Sequence, residues 1–481
     1  MSYLNELNSP LGLDGKQGHY FVTPEQYGLP RSSAQQKLTP LDMNLPRVYG
    51  ARWILCFPLQ PGTYRAQVYE YLKAGLAHTI ESIPWIAGNI GPEGGSNPDD
   101  NRIQIIESSS GVKFPCKDLA GILPSYTELK QEHFPLSKLS TAEISPVGVM
   151  PELSQPVMAA QANFIEGGLL LTIGIHHSAG DAVALEAIIE AWAQNTAAAA
   201  SGSNAFTTYD SQANNRSALM KGTPGARLAD LPEYILHPTP KPTATNENMP
   251  QMPFQLPPMV SHIFYFSPGT LADLKTTAAA FSTNDALCAF LWRNMTLARD
   301  FSGGSTDLDS GENTSAFTFS VNIRNRTSPP LPPTYLGNAS MACITDRVTV
   351  STLTGDNGFP RAADAIRKSL SGFKSPSRVP LTIGLLASRP DPTDFKLAHN
   401  AFLGPDIIAT SWADVKVYSC DWGALGTPDA FRVPGEGADG VIVILPRLKD
   451  GGLEVLVGLE TAAMERLLKN NQFIEAAKLW G

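Results

Sequence analysis

The sequence predicts a chain of two α/β domains. Three observations carry this expectation. Strand and helix signals alternate in both halves, a proline-rich stretch separates them, and 481 residues exceed what one ordinary core accommodates. In the first half, "TYRAQVYEYLKAGLAHTIES" has helical apolar spacing and must stop at Pro84, which cannot continue the backbone ladder. "GGLLLTIGIHH" from Gly167 is short, β-branched and opened by glycines, as a strand should be. In the second half, "STNDALCAFLWRNMTLARDF" begins with Ser282 or Thr283 as an N-cap and then runs apolar at helical intervals. "AFTFSVNIRNR", "GVIVILPRL" and "LEVLVGLE" alternate as strands. The boundaries follow from the prolines. Residues 1–230 form the first domain and 261–481 the second. "LPEYILHPTPKPTATNENMPQMPFQLPPMV", residues 231–260, forms an extended crossing linker whose prolines forbid a regular helix. Residues 302–315, "SGGSTDLDSGENTS", read as a surface loop.

Composition excludes several functions. With 36 basic and 45 acidic residues the net charge is -9, unlike a general nucleic-acid binder. No apolar run approaches the roughly 18 residues needed to span a bilayer, and the N-terminus lacks a secretory pattern. Five scattered cysteines without a CxxC predict neither a zinc site nor a disulfide framework, so a reduced, cytoplasmic protein is expected. "GEGADG", Gly435 to Gly440, matches a dinucleotide fingerprint on paper but leads into a strand rather than a helix, so it reads as a turn. No serine-hydrolase elbow, zincin, P-loop or EF-hand string occurs.

The most informative stretch is "LLLTIGIHHSAGDAVALEAIIEAW", Leu169 to Trp192. The chain has only 8 histidines, and two stand together here at the end of an apolar strand. From Asp181 the period changes, and Val183, Leu185, Ile188, Ile189 and Trp192 recur at helical spacing. His176 and His177 therefore sit at a strand-to-helix turn with Gly180 in the bend, and Asp181 opens the helix, where its charge suits the dipole. A histidine held rigidly at such a turn is suited to act as a general base on an alcohol or amine. The plainer reading of the doublet is a packed pair in the core.

"HHSAGD" resembles the HxxxD motif of the BAHD-type acyl-CoA-dependent acyltransferases, relatives of chloramphenicol acetyltransferase and of peptide-synthetase condensation domains. Further segments are similar to the same family: "IPWIAGNI", "STNDALCAFLWR", "VNIRNRTSPPLPPTYLGNA" and "TSWADVKVYSCDWGALGTPDAFR". The fungal branch with the trichothecene acetyltransferases matches best. The sequence departs from the family pattern at Ala182, where a glycine is common, at Asn322, where an acid is usual, and at Trp422, where the family has phenylalanine.

The resemblance implies two chloramphenicol-acetyltransferase-like domains, each a mixed sheet flanked by helices, with an active-site channel between them. It implies transfer of an acyl group, acetyl above all, from acyl-CoA to a hydroxyl, less readily an amine, of a small apolar secondary metabolite. His177 would be the base, in a direct ternary-complex attack. Asp181 would pair with Arg324 and orient the site. Thr410 and Trp412 would supply oxyanion donors, and Asp421, Gly423 and Gly426 would fix a loop near the channel. Coenzyme A, the co-substrate, carries phosphates, for which Arg361, Arg367, Lys368, Lys374 and Arg378 are the basic candidates; a solvated helix face explains that run equally well. No permanently bound cofactor or metal is expected, and the family's members are mostly monomers. Two other readings remain: a condensation-type enzyme fed by a carrier protein, and an inactive member serving as a binding protein.

Overall fold

A computed structural model describes residues 21–97, 100–152, 155–238, 256–299, 313–435 and 438–481. Most of the surface loop expected at 302–315, the middle of the proline-rich stretch and part of the "GEGADG" turn lie outside the described residues.

Each half is built on a mixed seven-stranded sheet. In the first, Met158–Ile165 and Gly168–Ile175 form an antiparallel hairpin, and Ala51–Pro58 pairs with the second of these strands. All sixteen hairpin residues are buried, so these strands lie covered on both faces. The helices Arg65–Ser82 and Ala182–Ser201 pack against each other over this sheet, and their apolar residues Leu72, Leu76, Ile188 and Trp192 join its core. The first helix ends at Ser82, just before Pro84, as its sequence requires. In the second sheet, Phe317–Asn322, Ile407–Ser411 and Val441–Ile444 run parallel, while Leu453–Glu460 and Met259–Phe266 continue it antiparallel. The helix Thr283–Arg299 buries Leu287, Phe290, Leu291, Trp292 and Met295 against it. Ser282 caps this helix, accepting from the Asp285 amide at 3.1 Å while the Asp285 carboxylate accepts from the Ser282 amide.

Two boundaries differ from expectation. Ala430–Arg432, from the C-terminal half, pairs with Ala51–Pro58 and forms an edge of the first sheet. The preceding segment follows it, since Trp412, Val417, Trp422 and Leu425 belong to the first core. A short apolar strand takes whichever sheet edge offers hydrogen bonds and burial, and here that is the opposite domain. The crossing linker is likewise not a free connection at its two described ends. Its residues Tyr234–Leu236 pair with Phe395–Leu397, and its last residues already belong to the strand Met259–Phe266. The two halves are thus interlocked, and Arg432 completes the lock with a bidentate bridge to Glu454, at 2.7 and 2.9 Å, from the second sheet.

Candidate active site

The strand Gly168–Ile175 ends just before the histidine doublet, and the helix Ala182–Ser201 begins just after Asp181. Backbone bonds fix the turn between them. The His176 amide donates to the Val157 carbonyl and the His177 amide to the Val48 carbonyl, both at 2.8 Å, and the Ala179 amide closes back onto His176. Gly180 serves packing rather than a left-handed bend. A β-carbon there would lie 3.0 Å from that of Ala184 and 3.4 Å from the Ile175 side chain.

The two imidazoles differ sharply. His176 is fully buried and edge-on to Tyr49, with ring centroids 5.3 Å apart. Its Nδ1 accepts from the Ser178 amide at 3.2 Å. Burial, with His177 and Arg47 nearby, pushes its pKa down to about 4, so it is neutral at physiological pH. His177 keeps some solvent exposure and has Gly50 beside its ring, where a β-carbon would sit 3.7 Å away. Burial lowers its pKa too, while the carboxylates of Asp181 and Asp42 and nearby backbone carbonyls pull it back up. The result is a neutral, partly accessible imidazole.

Asp181 caps the helix by accepting from the Ala184 amide at 3.0 Å. It also receives both terminal nitrogens of Arg324, at 2.8 and 2.9 Å, and the Ala339 amide at 2.9 Å. Arg324 spends its remaining reach on the carbonyls of Tyr335 and Gly337. Asn322, standing where an acid is usual, accepts from the Arg324 amide at 3.0 Å. The pair expected from the sequence is therefore a buried, bidentate bridge across the seam between the halves.

Three further residues reach the same turn and were not singled out by sequence. Asp42, fully buried, accepts from Arg216 at 2.8 Å and from the Asn338 side chain at 2.8 Å. Arg216 donates on to the Ala179 carbonyl at 2.7 Å, and Asn338 to the His177 carbonyl at 2.9 Å. The one available signal was local: "TPLD" is a proline-started capping box in which Thr39 and Asp42 bond each other.

Thr410 lies on Ile407–Ser411, half-buried, on the face opposite the buried Ala409. Trp412 follows it across the seam and meets Trp53 of the first sheet edge-on, at 5.5 Å between centroids. Asp421, Gly423 and Gly426 form a loop against the helix Ala182–Ser201. Both glycines have φ near +66°, between 65° and 67°, where side chains are disfavoured, and a β-carbon on Gly423 would strike Ala197. Asp421 also lines a cavity of about 410 Å³ along that helix, walled by Glu186, Glu190, Asp414 and Lys416. The basic candidates are less free than their sequence promises. Arg367 is paired with the buried Asp285, Arg378 with the buried Glu233, and Lys368 with Asp346. Arg361 and Lys374 are exposed, and no ion pair is recorded for them among the described residues.

Comparison with known proteins agrees with this architecture. The profile of the Transferase family matches residues 17–474. The chain belongs to that family, the one that holds the BAHD-type acyltransferases, and its relatives include fungal acyltransferases. It is 28% identical to acyltransferase easC of Emericella nidulans, over 94% of this chain and 96% of that one. It is also 28% identical to eremophilane O-acetyltransferase ORF8 of Penicillium roqueforti, over 92% of this chain and 98% of that one. Among solved structures, the TRI101 protein of Fusarium sporotrichioides, crystallised with coenzyme A and T-2, superposes with a TM-score of 0.78. At 22% identity, over 93% of this chain and all of that one, the likeness establishes the two-domain fold. Among the described residues, no helix is long and apolar enough to cross a membrane, and no cluster of potential metal ligands occurs.

Proposed function

We propose that the protein transfers an acyl group, acetyl by preference, from acyl-CoA to a hydroxyl of a small apolar secondary metabolite. One observation carries the reading. His177 is neutral, partly open to solvent, and projects from a turn whose backbone is pinned on every side. Such an imidazole takes the proton of the acceptor hydroxyl as its oxygen attacks the thioester carbonyl. The thioester is already activated, so no covalent acyl-enzyme is required. The Thr410 hydroxyl and Trp412 N–H are assigned to the oxyanion of the tetrahedral intermediate; the half-buried Thr410 and the packing of Trp412 against Trp53 of the first sheet support that role. The proton then passes from His177 to the departing thiolate, which leaves as free CoA.

A second reading, acyl delivery by a carrier protein, is favoured by the paired state of Arg367, Lys368 and Arg378, which leaves only Arg361 and Lys374 of the five candidates open to the phosphates of CoA. Thermal unfolding with free CoA and acetyl-CoA separates the two. A ligand at 100 times its dissociation constant adds about 2.7 kcal/mol to the native state. A clear upward shift supports the CoA reading and opens a screen of apolar alcohols by thiol release. No shift at millimolar CoA overturns it and favours the carrier.

A further inference from the structure

We infer that Asp42, Arg216 and Asn338 form a second brace that positions His177, alongside the Asp181–Arg324 pair. The inference rests on the reading of His177 as the base. Its geometry is that of one carboxylate anchoring two arms. Asp42 sits at the start of the short helix Pro40–Asn44, held by the Thr39 amide and hydroxyl, each at 2.8 Å. The same oxygen, Oδ2, also takes Arg216, while Oδ1 takes Asn338, and each of these hands a second hydrogen to the histidine turn. Arg216 holds the carbonyl of Ala179; Asn338 holds the carbonyl of His177 itself.

The choice of residue at 338 fits this task. Its Nδ2 donates both ways, to Asp42 and to His177, while its Oδ1 has no partner among the described residues. An aspartate, which has no such donors, would set a second carboxylate against Asp42. Leaving an amide oxygen buried and unpaired costs free energy that a purely space-filling role would not require. Arg216 is similarly committed: it is buried, bonds the Leu336 carbonyl at 3.2 Å, and lies over the Trp85 ring. The segment 335–339 is thereby threaded between the two guanidinium groups. Arg324 takes the carbonyls of Tyr335 and Gly337, and Arg216 takes that of Leu336. Because Asp42 and Arg216 come from the first half and Asn338 from the second, the base is set only when the halves are docked.

Around the imidazole the charged and titratable groups are Asp181 at the helix cap, Asp42 on Pro40–Asn44 and His176 alongside, with Arg216 and Arg324 behind the carboxylates. The test reads His177 directly, by NMR of histidine labelled at the ring Cε1, with His177→Ala assigning its signal among the 8 histidines. Asp42→Asn removes a negative charge and should lower the His177 pKa. Asn338→Ala changes no charge and should instead broaden or split the signal. In both, kcat for acetyl transfer should fall by up to about 10²-fold, with the acetyl-CoA KM within about twofold, as expected for a displaced base. Asp439→Asn is the control: it breaks the equally buried Arg299–Asp439 pair of the second half. It should lower the melting temperature and leave the His177 signal in place. Should Asp42→Asn fail to fold, Asn338→Ala and Arg216→Lys, which keeps the charge but loses the fork, decide. An unmoved His177 signal and unchanged kcat in the folded variants would overturn the brace. A wild type that transfers no acyl group, while the NMR signal still responds, would instead remove the catalytic reading and leave the brace standing.

Discussion

The histidine turn and the basic stretch 361–378 concentrate charge to opposite effect. At the turn, two carboxylates and two arginines are almost wholly buried, each pair linked at 2.8 Å, and their spare hydrogens go to turn and seam carbonyls. In the basic stretch the cations lie on or near the surface, and three of the five are paired: Arg367 and Lys368 with carboxylates of their own domain, Arg378 with Glu233 of the linker. Buried pairs are dear to desolvate and are weak evidence of net stability, so their use here is to fix geometry. The exposed Lys368–Asp346 pair is screened and fixes little, while Arg367 and Arg378 neutralise the buried Asp285 and Glu233 away from the turn. Charge density in the sequence therefore says less than where each charge's partner stands.

The largest effect that would sharpen this contrast is at His177. His177→Ala should lower kcat by about 10²–10⁴-fold, the usual share of a general base, while unfolding at close to the wild-type temperature. Steady-state thiol release and calorimetry on the same preparation check both halves of the statement. Asp181→Asn should do both kinds of harm. It leaves Arg324 buried without its counter-charge, and breaking such a pair costs about 3–5 kcal/mol, so denaturant unfolding should show the loss alongside reduced activity. In the basic stretch the expectation reverses. Arg367→Ala and Arg378→Ala strand the buried carboxylates Asp285 and Glu233, so melting should fall while the acetyl-CoA KM stays within about twofold. A KM raised tenfold by either would erase the contrast and return that stretch to the nucleotide.

The smallest effect concerns His176. Its folded pKa lies near 4, below the ordinary 6.5, so between those values the unfolded chain binds the extra proton. The stability it contributes is whole above 6.5 and is lost as the pH falls toward 4. At pH 5 this amounts to about 2 kcal/mol. A His176→Gln variant should therefore lose less stability between pH 7 and pH 5 than the wild type does, whatever its stability at neutral pH.

How much of this could be read in advance follows from the range of each interaction. The strand ending at Ile175, the helix opening after Asp181 and the cap between them are written in one short run of sequence, where a continuous apolar stretch gives way to a 3.6-residue period. Arg324 lies 143 residues from Asp181, and only the family resemblance joined them. Asp42 and Asn338 are 296 residues apart, and Asp42 has a sufficient local account as part of a capping box, so neither announced the other. Ala430–Arg432 was missed as part of the first sheet for the same reason. Its local pattern says strand but not which edge, and the division of the chain at residues 231–260 assigned it to the second half. Gly180 taught a narrower lesson: a glycine in a bend was placed there by the Ala184 and Ile175 side chains rather than by its own dihedrals.

The central claim is that His177, neutral because it is desolvated, takes the acceptor's proton. It is tested most directly by the pH dependence of kcat/KM for acetyl transfer from acetyl-CoA, in wild type and in His177→Ala. The account predicts an acid limb with its midpoint below the ordinary 6.5 of histidine, present in the wild type and absent from the residual activity of the variant. An acid limb that survives the substitution unchanged would contradict it.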